Sequence, residues 1–439
     1  MRNPKNHFST VYFIIVFIVL ISVFYTNLFG VISGYSKNFQ KDGEGLVFGR
    51  LALNEKHGIL AFSGLTGFFG PWGDPNYDHE KMYLTKSEIR LNDFTVYQSQ
   101  IGGQAMIFGV LNSILPFDNT TKLAFFHFLT ALTTALVFLF FLKWVKKHFG
   151  IITSTITLFL IITSIWIIVF SDKLFWNLGS FYLPFVFMLF YLDKKDSISI
   201  DPKKLFLYSS IVVFIKCFLT GYEYITTTLI MFTIPLIFYH FLNKWEYKKT
   251  IILFLKMSAG AISGFLFSIV ILIFQISRLS KKYENLEGFD YIYQTMLRRS
   301  YDDPNKHEGL VYFNSMKSTI WEVIQLYLNG FIYSYKTKNG IGLEVTYLHF
   351  ILFFGVSTIL YFYFQNKINT VFETKNKLTA LIIMFWASIL APMSWFILFK
   401  SHSYIHTHIN FITWYMPFAL LGYVLIGYFI SKIILRSKY

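Results

Sequence analysis

An all-α polytopic membrane protein is the fold class this sequence predicts, and three observations predict it. Apolar residues make up 54% of the 439 positions and charged residues only 14%, against roughly 25% charged in a soluble domain. Mean hydropathy is +0.50. Apolar runs near the bilayer-crossing length of about 20 residues recur along the chain, separated by basic clusters. Together these exclude a soluble globular enzyme, a disordered chain and a collagen-like or coiled-coil rod. At this length the chain reads as one membrane domain over 1–439, with extra mass in loops.

The first apolar run, 11–32, is longer than the roughly 7–15 residues of a signal core, and no A-x-A-like site follows it. It reads as a retained span. Further runs lie at 123–142, 150–171, 251–275, 346–365, 378–398 and 409–431. Shorter or more polar runs at 177–192, 205–220 and 225–242 bring the expectation to about ten transmembrane helices. The run "GGQAMIFGVLNSIL" at 102–115 is too short to count. It is expected along the interface.

Charge orients this map. With ten spans, the inner segments carry eighteen Lys/Arg, from Arg2 and Lys5 to Arg436 and Lys438. The short outer loops 172–176, 221–224 and 399–408 hold only Lys173 and Lys400. Positive residues favour the cytoplasmic side, so both termini are expected there. A crossing at 102–115 would invert every later loop and reverse the bias. Of 24 carboxylates, 19 then fall on the outer side. Two outer loops are long, 33–122 and 276–345, and loops of that length usually carry function.

The remaining inventory narrows the chemistry. Cys217 is the single cysteine, so no intramolecular disulfide or thiolate cluster is expected. Its apolar setting reads as core. The net charge of +15 is dispersed in short clusters, which argues against a nucleic-acid partner. No P-loop, G-x-G-x-x-G after a strand, H-E-x-x-H or G-x-S-x-G is present. That pattern fits a substrate activated before it arrives.

The first outer loop opens with "KDGEGLVFGRLALNEKHG". Leu46, Val47, Leu51 and Leu53 alternate with Arg50, Asn54, Glu55 and Lys56, which predicts an amphipathic helix on the membrane. Asp42 and Glu44 stand near its N-terminus, where the helix dipole favours carboxylates. Next comes "GFFGPWGDPNYDHEKMYL", punctuated as loop. There Trp72 and Tyr77 lie among acids, a mixture that suits a sugar's apolar faces and hydroxyls and also an interfacial aromatic belt. A second interfacial helix is expected from "VYQSQIGGQAMIFGVLNSIL".

One span, an acidic pair, an amphipathic helix, a second interfacial helix and then a span ending in "KWVKKHFG" make up this half of the chain. The arrangement resembles the N-terminal half of the GT-C superfamily of membrane glycosyltransferases. That superfamily includes the protein O-mannosyltransferases, the bacterial aminoarabinose transferases and the oligosaccharyltransferases. The likeness covers roughly residues 10–195 and points to a bacterial polysaccharide-biosynthesis branch. It implies a catalytic or substrate-orienting acid just after the first span, which falls on Asp42 with Glu44 as the near alternative. A further acid of the second outer loop would match Asp172 in "SDKLFWNLGS". The acidic pair here is interrupted by Gly43, and the second interfacial helix lacks the family's Lys-Pro-Pro-Leu-like start. The resemblance also implies a polyprenyl-phosphate sugar donor, a glycan or glycolipid acceptor, and the bacterial inner membrane.

Later segments supply further candidates. Lys216 lies within an apolar run, where a cation is a functional candidate by default. It is set either to hold a donor phosphate, to snorkel outward or to pair with Glu223. Arg298 and Arg299 open "RRSYDDPNKHEG", and the guanidinium fork matches phosphate oxygens. They read equally as a solvated pair. His402, His406 and His408 crowd "KSHSYIHTHINF". They suit hydrogen bonding to a glycan or phosphate, or a structural role. A zinc site there would want a fourth ligand. No cofactor is required by the sequence, and a divalent metal stays open.

The leading expectation is an inverting glycosyltransferase at the outer face. The alternative is an O-antigen- or capsule-type polysaccharide polymerase using a lipid pyrophosphate donor and leaning on Arg298 and Arg299. A lipid-linked glycan flippase or transporter ranks third, because few ionisable groups stand on the spans.

Overall fold

The computed structural model describes residues 4–31, 39–71, 77–88, 90–194, 196, 199–280, 287–306, 309–336, 342–364 and 372–436. The chain is overwhelmingly helical, and its helices pack around one extensive apolar core. In chain order they begin with α1 (Pro4–Thr26), α2 (Lys41–His57), α3 (His79–Leu84), α4 (Gly103–Ile114), α5 (Asn119–Phe149), α6 (Ile151–Ile162) and α7 (Ile165–Phe170). Then follow α8 (Leu178–Tyr191), α9 (Pro202–Thr220), α10 (Ile225–Asn243), α11 (Tyr247–Ser280), α12 (Gly288–Arg299), α13 (Leu310–Lys317) and α14 (Ile320–Leu328). The last are α15 (Tyr347–Phe364), α16 (Phe372–Ser388), α17 (Leu390–Leu398), α18 (Lys400–Ile405), α19 (Thr407–Asn410) and α20 (Phe418–Arg436).

Local chemistry sets many of the boundaries. Asp118 caps α5 by accepting from the Thr121 N–H, and Asp201 caps α9 through Lys203 and Lys204 with Pro202 at the first helical position. Such caps satisfy N–H groups that the first turn leaves unpaired. Thr319 and Glu322 form a reciprocal capping box on α14. The sequence does not announce two small antiparallel hairpins: β1 (Gly67–Phe69) with β2 (Phe94–Val96), and β3 (Phe331–Lys336) with β4 (Gly342–Thr346).

Among the described residues, seven helices are long and apolar enough to cross a bilayer. They are α1, α5, α10, α11, α15, the α16–α17 stretch and α20. The other expected crossings take different forms. The 150–171 run breaks after Ile162, where Ser164 begins a new helix with an extended backbone. The 177–192 run is the 14-residue α8. Helix α9 has length enough, but Lys203, Lys204 and Lys216 dilute its apolar character. Helix α4 has 12 residues, about 18 Å at 1.5 Å per residue, short of a hydrocarbon core of about 30 Å.

Helix α2 differs from the expected helix lying on the membrane surface. Every residue from Gly43 to Asn54 is buried. Arg50, on the expected polar face, is fully enclosed and donates to the Ala61 and Ile59 carbonyls. Glycine makes this enclosure feasible: a Cβ at Gly49 would stand 2.4 Å from the Gly67 carbonyl oxygen of β1. Helices α9 and α11 use the same device. Cβ atoms at Gly260 and Gly264 would meet the Phe206 and Ser210 carbonyl oxygens at 2.2 and 2.1 Å. This small-xxx-small spacing lets two helix backbones approach in the absence of a hydrophobic driving force.

Candidate functional site

A cavity of about 270 Å³ opens where segments far apart in sequence converge. The start of α2 contributes Gln40 and Asp42, and the segment after β2 contributes Tyr97 and Ser99. Phe175 and Trp176 come from the 171–177 connection, and Glu223 from the turn between α9 and α10. The end of α12 adds Arg298 and Arg299, and α13 adds Tyr312. The 399–410 segment supplies His402, His406 and His408. Both long loops therefore meet at one site.

A buried ion pair organises one wall. Arg299 Nη1 lies 2.7 Å from Glu223 Oε1, and Nη2 donates to the Tyr97 hydroxyl at 3.4 Å. Burial opposes the Arg299 charge, but the Glu223 carboxylate together with Tyr97 and Tyr291 outweighs it and holds the guanidinium above its ordinary pKa. Burial pushes the Tyr97 phenol up. Glu223 Oε2 stands 3.8 Å from His402 Nε2 and has no hydrogen-bond partner among the described residues. Arg298 is exposed to the cavity, with no ion-pair partner among those residues.

The histidines sit together because their segment is irregular. Helix α18 ends at His406, whose backbone leaves the helical region, and α19 restarts at Thr407. The break brings His408 into line: ring centroids are 4.5 Å apart for His402–His406 and 5.8 Å for His406–His408. Burial, reinforced by Arg299 and the neighbouring rings, drives His402 well below the ordinary histidine pKa. Burial lowers His406 to about 4, against a partial opposing pull from Glu223. His408 is also lowered by burial, with Asp42 opposing. These are neutral imidazoles at neutral pH, able to donate and accept hydrogen bonds.

Two buried lysines hold the surrounding turns. Lys216 does not face the cavity. Its Nζ donates to the Gly221 carbonyl at 2.9 Å and the Glu223 carbonyl at 2.5 Å, above the Phe181 ring. It pairs with the Glu223 backbone and not with the carboxylate, because Gly221, at φ 62°, turns the chain back over the helix end. Lys400 Nζ donates to the Met316 and Ser318 carbonyls, both at 2.6 Å, which ties α13 to the histidine segment.

Several sequence candidates stand elsewhere. Glu44 is buried and accepts from the Phe175 N–H at 2.8 Å and the Leu174 N–H at 3.2 Å. Burial raises its pKa against the pull of His127 and Lys173. It therefore straps the connection that carries Phe175 and Trp176. Asp172 accompanies this strap, 4.0 Å from both His127 and Lys173. Tyr77 lies against Gly70, where a Cβ would come within 2.4 Å of its ring. Trp72 falls outside the described residues. The cavity does collect Asp42, Glu223, Arg298, Arg299, His402 and His406. It adds Gln40, Tyr97, Ser99 and Tyr312, which carry no motif signal of their own.

Among the described residues, no three His, Cys, Asp or Glu side chains are placed to hold one metal ion. The three histidines present a row of rings without a convergent carboxylate set. Compared with protein-family models, curated proteins and solved structures, the chain matches none of them.

Proposed function

We propose that this protein is an inverting membrane glycosyltransferase, taking a sugar from a polyprenyl-phosphate donor to a cell-envelope glycan or glycolipid. One observation carries the reading. Asp42, an exposed carboxylate, shares a cavity with Arg298, which has no ion-pair partner among the described residues, and with a row of three histidines of which His402 is buried. In the proposed step Asp42 takes the acceptor hydroxyl proton as general base. The hydroxyl oxygen forms the new bond to the anomeric carbon. The anomeric carbon–phosphate oxygen bond breaks, and its electron pair leaves with the lipid phosphate. Arg298 faces that developing charge, while neutral His402 and His406 offer hydrogen bonds to sugar hydroxyls. Phe175 and Trp176 supply apolar surface for a sugar face.

Lys216 is not the phosphate ligand in this scheme, because its ammonium is committed to two carbonyls. Arg299 is likewise committed to Glu223. One arginine without an ion-pair partner among the described residues suits a monophosphate donor better than the pyrophosphate donor of a polymerase. The topology proposed is ten crossings in a bacterial inner membrane with both termini cytoplasmic. Helices α8 and α9 and the broken α6–α7 pair then complete the seven longer spans. The basic clusters support that orientation.

The test is the surface glycan of a deletion strain, read by mass spectrometry and NMR. The strain is complemented with wild type or Asp42→Asn at matched expression. Loss of one linkage or branch, restored by wild type and not by Asp42→Asn, is the expected result. Single repeat units in place of long chains would indicate the polymerase. Complete lipid-linked glycan held on the inner leaflet would indicate a transporter.

A further inference from the structure

A second cavity, of about 590 Å³, shares no lining residue with the first. It lies between the turn that follows α2 and the last turns of α11. Its walls join apolar and polar groups in an order that resembles a lipid's own. Phe274 and Leu60 are 61% and 78% exposed, so hydrocarbon can reach both. Gln275 and Arg278 stand one turn apart on the same face of α11. The Arg278 guanidinium lies 5.5 Å from the Phe274 ring centroid and has no ion-pair partner among the described residues. His57 adds a second polar donor, and among the described residues no Asp or Glu lines the groove.

Gln275 is the decisive residue. It is 6% exposed. Its amide Nε2 donates to the Ser63 and Ile101 carbonyls at 2.9 and 3.2 Å. Those bonds fix the amide's orientation and leave Oε1 without a partner among the described residues. A buried acceptor in this state takes a donor from water or from a ligand. Arg278 calls for an anion. Only 33% of the most apolar stretch of helix α11 is buried within the protein, and Arg278 lies in its last turn, which in a bilayer-crossing α11 is the depth of phospholipid headgroups.

We propose that this groove holds one anionic glycerophospholipid with a hydroxylated headgroup. The phosphate sits on Arg278, a headgroup hydroxyl donates to Gln275 Oε1, and the chains run along Phe274 and Leu60. Phosphatidylglycerol has this chemistry. The site is independent of the transfer reaction proposed above.

The experiment is native mass spectrometry of the delipidated full chain, titrated separately with phosphatidylglycerol, phosphatidylethanolamine and undecaprenyl phosphate. Wild type is expected to bind one phosphatidylglycerol more tightly than phosphatidylethanolamine. Arg278→Gln is expected to weaken that binding about fivefold, the worth of one interfacial cation, and to weaken the binding of zwitterionic phosphatidylethanolamine less. Leu60→Gln changes a side chain already exposed and is expected to weaken both phospholipids. Equal retention of the two phospholipids, or an unaltered Arg278→Gln, would overturn the proposal. Displacement of phosphatidylglycerol by undecaprenyl phosphate with dependence on Arg278 would also overturn it, by assigning the groove to a carrier lipid.

Discussion

Arg299 and Glu223 meet at 2.7 Å in the wall of the cavity, and each is there because of the other. Their side chains are only 14% and 10% exposed, so water screens the pair weakly. Removing one partner of such a pair leaves the other charge buried, at a cost of about 3–5 kcal/mol. Glu223→Gln is therefore expected to lower the thermal unfolding temperature in detergent markedly. Glu223→Leu with Arg299→Met should recover most of that loss, because neither charge then remains. An unchanged unfolding temperature in Glu223→Gln would show that the pair is not structural.

Asp42 presents the opposite case. It is exposed at the start of α2, and among the described residues no hydrogen bond depends on it in the way the 174–175 amides depend on Glu44. Asp42→Asn should leave unfolding unchanged and lower transfer by about 10²–10⁴-fold, the usual contribution of a general base. Glu44→Gln should do the reverse, with a loss of stability and a smaller loss of transfer. In vitro transfer with a polyprenyl-phosphate sugar, measured beside thermal unfolding, separates the two carboxylates. Equal transfer by Asp42→Asn and wild type would remove Asp42 from the reaction.

Lys216 is predicted to act as a clamp. Lys216→Met deletes charge-assisted bonds to Gly221 and Glu223, each worth about 1.5–3 kcal/mol. The turn that presents Glu223 should loosen, and the unfolding temperature should fall. Donor binding by the fraction that remains folded should weaken less than in Arg298→Gln. If Lys216→Met unfolds like wild type but loses donor affinity, the lysine is a phosphate ligand after all.

The long apolar helices were legible because a signal of about 20 residues needs no tertiary context. Helix α2 was legible as a helix but not as a buried one. Its polar residues suggested a solvent face, and Arg50 satisfies itself inside on the Ala61 and Ile59 carbonyls. The informative signal was Gly43, Gly45 and Gly49, small residues where other elements come close. In the same way the Gly260–Gly264 spacing marked the α9–α11 contact. For the site, residue chemistry singled out Asp42, Glu223, the arginines and the histidines one by one. That they gather at one outer site was legible from the loop map, but which of them touch was not, because that depends on how four distant segments fold back on each other. Lys216 stayed open among three readings for a related reason. A sequence shows a cation in an apolar run, but not the carbonyls that a left-handed Gly221 turns toward it.

The histidine row makes stability depend on pH, and the sign can be worked out. A histidine in the unfolded chain titrates near 6.5. In the folded protein His406 titrates near 4, and His402 and His408 are also lowered, chiefly by burial. Between the folded and unfolded values the unfolded chain binds more protons. Stability therefore rises with pH in that window and is lost as pH falls below about 6.5. Each histidine contributes at most about 1.4 kcal/mol per pH unit, and the loss from His406 saturates below its folded value. Glu44 acts in the opposite direction. Its raised pKa makes the folded state the better proton binder, so it partly masks the histidines at the acid end. Unfolding temperatures from pH 7.5 to 5 should fall in wild type and fall more steeply in Glu44→Gln. The profile should flatten in His406→Asn. A flat wild-type profile would mean that the row takes up protons without strain, and that its histidines are not held neutral by the fold.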